Sequence, residues 1–195
     1  MNKNEYFLKS KNKALKKLEK DKNEDKIDDD IKEIINLINS FEDYYTSSSC
    51  AGRIVIIELP ELGNKREAKF LGKWHREVEF REIKTAIDLA NFGMIWLLAQ
   101  SPILHVNSKS NLSADKLIKI AISSGFKNSG IKSFTGNVVI EICSTERLDS
   151  PIGNDGLLFF NPKHLKLIVD ISNIIIKRSK KKLNILENNL KKVLV

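Results

Sequence analysis

The stretch MIWLLAQSPILHVN, from Met94 to Asn107, carries the strongest fold signal in this chain of 195 residues. Its first half, Met94–Gln100, is almost continuously apolar, which indicates a strand buried on both faces. Ser101-Pro102 separates it from a second strand at Ile103–Asn107. We therefore predict two strands here, with the first in the interior of a β-sheet.

Two further strands and two helices are predicted on the N-terminal side of this stretch. Arg53–Leu59 is rich in β-branched residues and stops at a proline, which is typical of a buried strand, and we expect Ala68–Trp74 to pair with it. Isoleucines recur at the spacing of one helix face over Ile31–Ile38, after three aspartates that favour a helix start. Glu5–Glu19 has a helical but mostly charged pattern, and Lys20–Lys26 suits an exposed connection.

Helices and strands are predicted to alternate on the C-terminal side as well. The predicted elements are a helix at Phe80–Phe92 closed by Gly93, a helix that begins at Ser113 and ends at Gly125, a strand at Gly136–Cys143, turns at Pro151 and Asn154-Asp155-Gly156, and a last helix that begins at Asn161-Pro162. The predicted inward-facing residues are Leu117, Ile120 and Ala121 in the second of these helices, and Ile168, Ile171, Ile175, Leu183, Leu186 and Leu190 in the last.

These elements follow no strict βαβ rhythm, so they favour an α+β fold: a single domain over residues 1–195 with a mixed β-sheet covered by helices. Residues 1–26 would form a basic helix and linker, and residues 162–195 a long basic C-terminal helix. None of the nine glycines is separated from another by a single residue, so the G-x-G of a Rossmann dinucleotide site is missing. The predicted fold is therefore non-Rossmann, and any cofactor is held in another way.

The composition fits a soluble globular protein, with 42% hydrophobic residues and a net charge of +8. The longest apolar runs fall well short of the roughly 20 residues that span a bilayer, and the N-terminus lacks the apolar region of a signal peptide. We therefore expect a cytoplasmic protein without a membrane partner. In that compartment Cys50 and Cys143 are expected to be two thiols.

Basic residues crowd both ends of the chain, while the middle is closer to balanced. If the terminal helices pack side by side, these residues would form a positive surface that attracts a polyanion such as nucleic acid. A solvated lysine-rich surface without a ligand is the alternative. The basic residues are Lys3, Lys9, Lys11, Lys13, Lys16, Lys17 and Lys20 at one end, and Lys177, Arg178, Lys180, Lys181, Lys182, Lys191 and Lys192 at the other.

The densest polar chemistry lies in Tyr44–Arg53, YYTSSSCAGR, which we expect to be a loop between a helix and a strand. Its hydroxyl groups, its backbone N–H groups near Gly52 and the guanidinium of Arg53 suit a carboxylate or a phosphate. A plain polar connection is the alternative. Cys50 leads into a buried strand and is interpreted as a packing residue. The hydroxyl residues are Thr46, Ser47, Ser48 and Ser49.

Two other features are candidates for a site. Gly125–Ile131, GFKNSGI, has two glycines and an asparagine that permit positive φ and could bring the backbone close to a ligand, with a plain turn as the alternative. His105 lies inside an apolar strand, where it is either an acid–base residue or a hydrogen-bonded core histidine. The three histidines lie on different predicted elements without a metal-binding motif, so we expect no metal site.

The motifs, taken in order, resemble those of the tRNA wybutosine-synthesizing methyltransferases. Thr46–Ile54, TSSSCAGRI, closely resembles the signature of that family. It is preceded by Ile27–Ile31 at a helix start and followed by Trp74-His75, by Leu104–Val106 and by the long match AISSGFKNSGI at Ala121–Ile131. The resemblance covers nearly the whole chain. One departure is Glu146-Arg147, where eukaryotic relatives have histidine and glycine, so Glu146 is expected to serve in place of that histidine.

The resemblance implies a tRNA-modifying enzyme. It would transfer a methyl group from S-adenosylmethionine to N4 of a 4-demethylwyosine-type guanosine beside the anticodon of phenylalanine tRNA. An in-line transfer needs the donor and acceptor to be aligned and one proton to be removed. We expect His105 to remove this proton, with Asp28 and His75 as further candidates, although Asp28 could be an ordinary N-cap and His75 a loop residue.

Binding roles follow from the same resemblance. The hydroxyl segment and Arg53 would hold a carboxylate of the donor or of the substrate side chain, and Trp74 would stack on the tricyclic base. Asn128, Ser129 and Gly130 would complete the pocket. The competing interpretation is a non-catalytic tRNA-binding protein. A phosphoester hydrolase is disfavoured, because no base adjacent to the hydroxyls is evident from the sequence.

Overall fold

The structure, a computed structural model, describes residues 2–64, 66–134 and 136–194. Five α-helices and nine β-strands occur in these residues. In chain order they are α1 (Lys3–Asn23), α2 (Asp29–Ser40), β1 (Tyr44–Cys50), β2 (Arg53–Leu59), β3 (Lys69–Trp74), α3 (Phe80–Ile87), β4 (Met94–Gln100), β5 (Ile103–Ser108), α4 (Asn111–Ser123), β6 (Gly130–Ser133), β7 (Val138–Cys143), β8 (Arg147–Asn154), β9 (Leu157–Leu158) and α5 (Pro162–Leu194).

The chain divides into two compact units, each with its own sheet. The first comprises the residues up to Ala51, Pro102–Thr145 and the residues from Lys180 onward. The second comprises Gly52–Ser101 and Glu146–Ser179.

The first unit contains a four-stranded antiparallel sheet in the order β1-β5-β7-β6. Alternate residues of β5 and β7 are buried and pack against α2, α4 and the C-terminal part of α5. Each such side chain contributes roughly 1.5–3 kcal/mol when it leaves water. The residues between them, His105 and Glu141, therefore lie on the opposite face. The buried apolar residues of the two strands are Leu104, Val106, Val138, Ile140 and Ile142.

The second unit contains a five-stranded antiparallel sheet in the order β3-β2-β4-β8-β9. Ile54 and Ile56 of β2 and Ile95 and Leu97 of β4 pack against α3 and the N-terminal part of α5. Alternation along the strands turns the intervening residues, such as Val55, to the other face of this sheet.

The α+β class and the non-Rossmann architecture are confirmed. The structure corrects the single mixed sheet to two sheets whose strand pairs are all antiparallel in the described residues. Parallel pairs need a crossover connection, whereas β2, β3 and β4 follow one another and pair directly. The break at Ser101-Pro102 marks the boundary between the two units. The single domain stays a prediction.

The five predicted strands are confirmed, whereas β1, β6, β8 and β9 were not predicted as strands. β1 is a strand where a loop was predicted, because pairing with β5 along six residue pairs overrides the weak strand propensity of serine. β4 occupies the sheet interior as predicted, but only one of its faces is fully buried. Pro151 lies inside β8 and not at a turn, next to a register shift where a proline is tolerated.

The helices begin and end differently from the prediction at several points. α1 continues to Asn23, through much of the predicted connection. α3 ends at Ile87, because the Glu58 carboxylate accepts the N–H groups of Asn91 and Phe92 at 2.6 and 2.8 Å. Ser110, not Ser113, caps α4 by accepting the Ser113 N–H at 3.0 Å.

The remaining helix predictions are largely confirmed. α2 buries its isoleucines, and Gly125 ends α4 with φ +94°. Asp155 and Gly156 have positive φ in the predicted turn. Along α5 Ile171 is 37% exposed, although it was predicted to face inward, while the other five predicted residues are buried. Val195, the end of the predicted last helix, lies outside the described residues.

Candidate functional site

The hydroxyl groups of β1 reach His105 because of a β-bulge. The pairing with β5 shifts between Thr46 and Ser48, so Ser47 is the extra residue. Ser47 and Ser48 are both exposed. The Ser47 hydroxyl donates to the His105 carbonyl at 3.4 Å, and the Ser48 hydroxyl lies 2.9 Å from Nδ1 of His105. The bulge thus aims two successive hydroxyls at one histidine.

A row of hydrogen bonds extends from Ser48 across the sheet. Residue pairing places Ser48 opposite His105 and His105 opposite Glu141. Nε2 of His105 lies 3.1 Å from Oε2 of Glu141, and Nζ of Lys132 lies 2.7 Å from Oε1 of the same carboxylate. A serine, a histidine and an acid are therefore aligned on three neighbouring strands.

The carboxylate of Glu141 determines the hydrogen-bond roles in this row. Burial by itself would raise the pKa of Glu141, but the hydrogen bond and charge of Lys132, followed by those of His105, lower this pKa below its ordinary value. Glu141 is thus ionised at neutral pH and accepts hydrogen bonds only. Nε2 of His105 must then carry the proton, which leaves Nδ1 to accept from Ser48.

Such a row can act as a proton relay, in which Ser48 takes a proton from a ligand as it gives its own to His105. The sequence-based statement that no base lies beside the hydroxyls is therefore wrong. Sequence reasoning also missed Glu141 and Lys132. The available signal was Glu141, a lone charge in the apolar strand VVIEIC, matching the lone His105 in its neighbour.

The exposed hydroxyls also line a cationic groove. A cavity of about 440 Å³ lies between β1 and α1, with Ser47, Ser48 and Ser49 on one wall and Lys13 and Lys17 on the other. Within the described ranges neither lysine forms an ion pair. Lys26 and Asp21 also line the groove, so its charged side chains sum to +2, and an anion there would meet lysines and a row of hydroxyl donors.

The basic residues of α5 have different surroundings from those of α1. Lys180 pairs with Asp30 at 2.9 Å, and Lys191 pairs with Glu187 at 2.5 Å. Lys182 donates to the Ser144 hydroxyl at 3.1 Å. α1 instead packs on β1, where Phe7 contacts Tyr45. Arg178, Lys181 and Lys192 of α5 form no ion pair with the described residues, so both helices carry unpaired charge, but Lys13 and Lys17 of α1 are the ones that line the groove beside the hydroxyls.

Asp28 supports the end of β1. It occupies the N-cap position of α2, as the alternative interpretation has it, but its side chain makes no capping hydrogen bond. Its Oδ2 instead accepts the Ala51 N–H at 2.8 Å. Cys50 and Cys143 are both thiols, as predicted, and Cys50 pairs with Ile103 as part of the strand.

The contacts of the predicted Asn128–Gly130 cluster are mainly hydrogen bonds to neighbouring backbone groups. The Ser129 hydroxyl donates to the Phe126 carbonyl at 2.7 Å and accepts the Cys143 N–H at 3.2 Å. Asn128 is exposed, and its N–H bonds the Cys143 carbonyl. Gly130 of β6 pairs with Glu141 of β7 and does not adopt the positive φ that glycine permits.

The remaining predicted site residues belong to the second unit. They are Gly52, Arg53, Trp74, His75 and Glu146. Gly52 has φ +92°, which only glycine adopts readily. The Arg53 guanidinium donates from Nε to Gln100 at 2.8 Å. Trp74 covers Gly72, where an added Cβ would lie 2.0 Å from the indole. His75 and Glu146 are half-buried.

In the described part of the chain, no helix combines the length and the apolar character needed to cross a membrane.

Comparison with known proteins identifies the family. The sequence profile described as Methyltransferase TYW3 matches residues 9–192. A Thermococcus sibiricus protein named tRNA(Phe) 7-((3-amino-3-carboxypropyl)-4-demethylwyosine(37)-N(4))-methyltransferase is 44% identical over 184 residues, which are 94% of this chain and 93% of that protein. A Pyrococcus horikoshii protein with the same name and the number 1 is 44% identical over 187 residues, 95% of each chain.

A solved structure agrees with these sequence matches. A protein structure from Pyrococcus horikoshii superimposes with a TM-score of 0.93 at 43% identity and covers 97% of this chain and 98% of that one. The fold, the ordered motifs and the extent of the sequence match lead to one assignment. This chain belongs to the Methyltransferase TYW3 family and is a methyltransferase.

Proposed function

We propose that this protein transfers a methyl group from S-adenosylmethionine to N4 of a 4-demethylwyosine-type guanosine beside the anticodon of phenylalanine tRNA, in the cytoplasm. Relatives that carry this activity in their names are 44% identical over nearly the full chain. The structural observation that supports the proposal is the Ser48–His105–Glu141 row beside a lysine-lined groove. It combines a proton acceptor with a surface suited to an anionic substrate.

The donor supplies an electrophilic methyl group on a sulfonium, so the protein needs no covalent intermediate and, in this proposal, no metal. The residues of the groove fit the carboxylate of such a donor, or that of the substrate side chain. Ser47, Ser48 and Ser49 offer hydroxyl donors, and Lys13 and Lys17 offer charges that form no ion pair within the described residues. In the second unit Gly52 and Arg53 are proposed to bind a further anionic group.

Proton removal follows from the hydrogen-bond roles. As the ring nitrogen gains the methyl group, its proton passes to Oγ of Ser48, and the Ser48 proton passes to Nδ1 of His105. Glu141, 3.1 Å from Nε2, then stabilises the imidazolium. His105 is thus our first candidate for the base, followed by Asp28 and His75.

The other predicted residues keep supporting roles in this proposal. Trp74 stacks on the tricyclic base, Asn128, Ser129 and Gly130 complete the pocket edge, and Glu146 replaces the histidine of the eukaryotic relatives. None of these roles is needed for the proton relay.

A methyl-transfer assay with matched serine variants tests the proposal. Purified protein is incubated with labelled S-adenosylmethionine and tRNA that lacks the final methyl group. Ser48→Ala should lower kcat by about 10²–10⁴, the contribution of a positioned acid–base group. Ser123→Ala is the control, because among the described residues its hydroxyl bonds only to the Ile120 carbonyl of its own helix. Equal kcat values in the two variants would exclude the relay.

The competing function is non-catalytic tRNA binding, which the unpaired lysines of α1 would also permit. It predicts no thermal stabilisation by S-adenosylmethionine, whereas the methyltransferase predicts stabilisation that grows with donor concentration.

A further inference from the structure

The outer face of the second sheet is unusually apolar. One face of this sheet packs on α3 and α5, so the other is expected to be polar, as on most half-exposed antiparallel sheets. It carries Val55, Ile57, Leu98 and Trp96 instead, and a cavity of about 420 Å³ opens over them. Phe70 at its edge is 54% exposed. Val55 and Ile57 form the buried floor of this cavity, while Phe70 and Leu62 are exposed at its rim. An apolar concave pocket with a few polar groups is the usual form of a ligand site.

The strand register arranges this pocket in three rows. Arg53, Gln100 and Arg147 face one another across β2, β4 and β8 and form a polar row. The next row toward the other end contains Val55, Leu98 and Asp149. The last row is aromatic and apolar, with Phe70, Ile57 and Trp96 side by side. The pocket thus has a cationic end and an aromatic end.

The two ends lie close enough to contact one small ligand. Cζ of Arg53 lies 5.9 Å from the centre of the Phe70 ring, so its charge reaches the aromatic row. Nε of Arg53 is fixed by Gln100 at 2.8 Å, and Arg147 is held by Asp149 at 2.6 Å. With two arginines and one aspartate, these charges sum to +1.

A flat ring joined to an anionic group matches these ends, and a nucleotide has this chemistry. Stacking on aromatic side chains and contacts from arginine to phosphate are the usual means of holding single-stranded RNA. The positive pocket favours a nucleotide of RNA over the adenosine of the donor, because the sulfonium of the donor is itself a cation.

We propose that this pocket binds one nucleotide of single-stranded RNA, with its base against Phe70 and Trp96 and its phosphate at Arg53 and Arg147. The identity of the RNA, the anticodon loop of the substrate, rests on the proposed function. The binding chemistry is independent of the proton relay in the first unit.

The test measures the affinity of the full-length protein for a fluorescently labelled seven-nucleotide RNA, about the length of an anticodon loop. Phe70→Ala should weaken binding roughly 5- to 150-fold, because stacking is worth about 1–3 kcal/mol per base. Phe70→Tyr keeps the ring and should restore binding. Phe159→Ala is the matched control, an exposed phenylalanine of the same unit outside the pocket lining (65% against 54% for Phe70). Unchanged affinity in Phe70→Ala would overturn the proposal.

A second arm separates the phosphate contact from stacking. Arg147→Gln should make the dependence of log Kd on log salt shallower by about 0.7, as expected for one lost contact to a single strand. Calorimetry with S-adenosylmethionine in Phe70→Ala should show unchanged donor affinity. If donor binding fell while RNA binding did not, the donor would be the occupant and the proposal would be wrong.

These results are distinct from those of the methyl-transfer assay. A protein that binds the RNA through Phe70 but transfers no methyl group contradicts the proposed function and supports this pocket. If the protein transfers the methyl group but Phe70→Ala leaves the RNA affinity unchanged, the proposed function is supported and this pocket is contradicted.

Discussion

Replacing Glu141 with glutamine tests the relay through its acidic end. The carboxylate lies 3.1 Å from Nε2 of His105. Coulomb's law at that distance gives about 1.3 kcal/mol in water and about 5 kcal/mol at the effective dielectric constant of about 20 that is typical near a protein surface. The His105 and Glu141 side chains are 31% and 15% exposed, which favours the lower half of this range. A loss of about 2 kcal/mol corresponds to a kcat about 30-fold lower.

Glutamine also changes the hydrogen-bond roles, because its amide can donate to Nε2 and turn Nδ1 into a donor. Steady-state kinetics of Glu141→Gln should therefore show a reduced kcat with KM values for donor and tRNA close to those of the wild type. The thermal unfolding midpoint of Glu141→Gln should match that of Lys132→Gln, a variant that keeps the carboxylate, so that a lower kcat does not reflect loss of the fold. A kcat within twofold of the wild-type value, in a folded Glu141→Gln protein, would refute the relay.

Three further predictions concern pH and local packing. Lys132→Gln removes the cation that lowers the pKa of Glu141, so activity should be lost at a higher pH on the acid side than in the wild type, as a pH–rate profile would show. Burial raises the pKa of Tyr44 to about 12, so the neutral phenol contributes to the stability of the folded state. This contribution is complete below the ordinary tyrosine pKa of about 10. The contribution is lost as pH rises from about 10 toward 12, and Tyr44→Phe lacks it at every pH. Over this interval the unfolding free energy of Tyr44→Phe should therefore fall by about 2 kcal/mol less than that of Tyr6→Phe, which keeps Tyr44. Gly125 has φ +94°, so Gly125→Ala should cost about 1–2 kcal/mol in urea denaturation, whereas Gly130→Ala, with open space around an added Cβ, should change stability by under about 0.5 kcal/mol.

Local patterns predicted the elements whose structure is decided by nearby residues. The isoleucines of α2 and the β-branched run of β2 form one-sided or continuous apolar patterns, and both elements are found where they were predicted. Gly125 and the Asp155-Gly156 turn were predictable for a similar reason, since positive φ selects a few residue types. β1 was missed, because its serines resemble a loop until β5, whose His105 lies 57 residues from Ser48, pairs with them.

The candidate site was predicted only in part for the same physical reason. Ser48 and His105 stood out by residue type, and the family resemblance included both. Glu141 joins them only through the register of β5 and β7, which brings together residues 36 positions apart. Spacing within one segment carries no information on such a register. The boundary between the two units at Ser101-Pro102 was likewise hidden, because both flanking strands look equally buried in sequence.

Mass spectrometry of the modified nucleoside tests the central claim most directly. The protein is incubated with S-adenosylmethionine and phenylalanine tRNA from cells that lack this methylation step, and the tRNA is then digested to nucleosides. We predict the gain of one methyl group on the tricyclic guanosine, with reduced yield in Ser48→Ala. A nucleoside of unchanged mass after incubation with folded, donor-binding wild-type protein would contradict the assignment of this reaction.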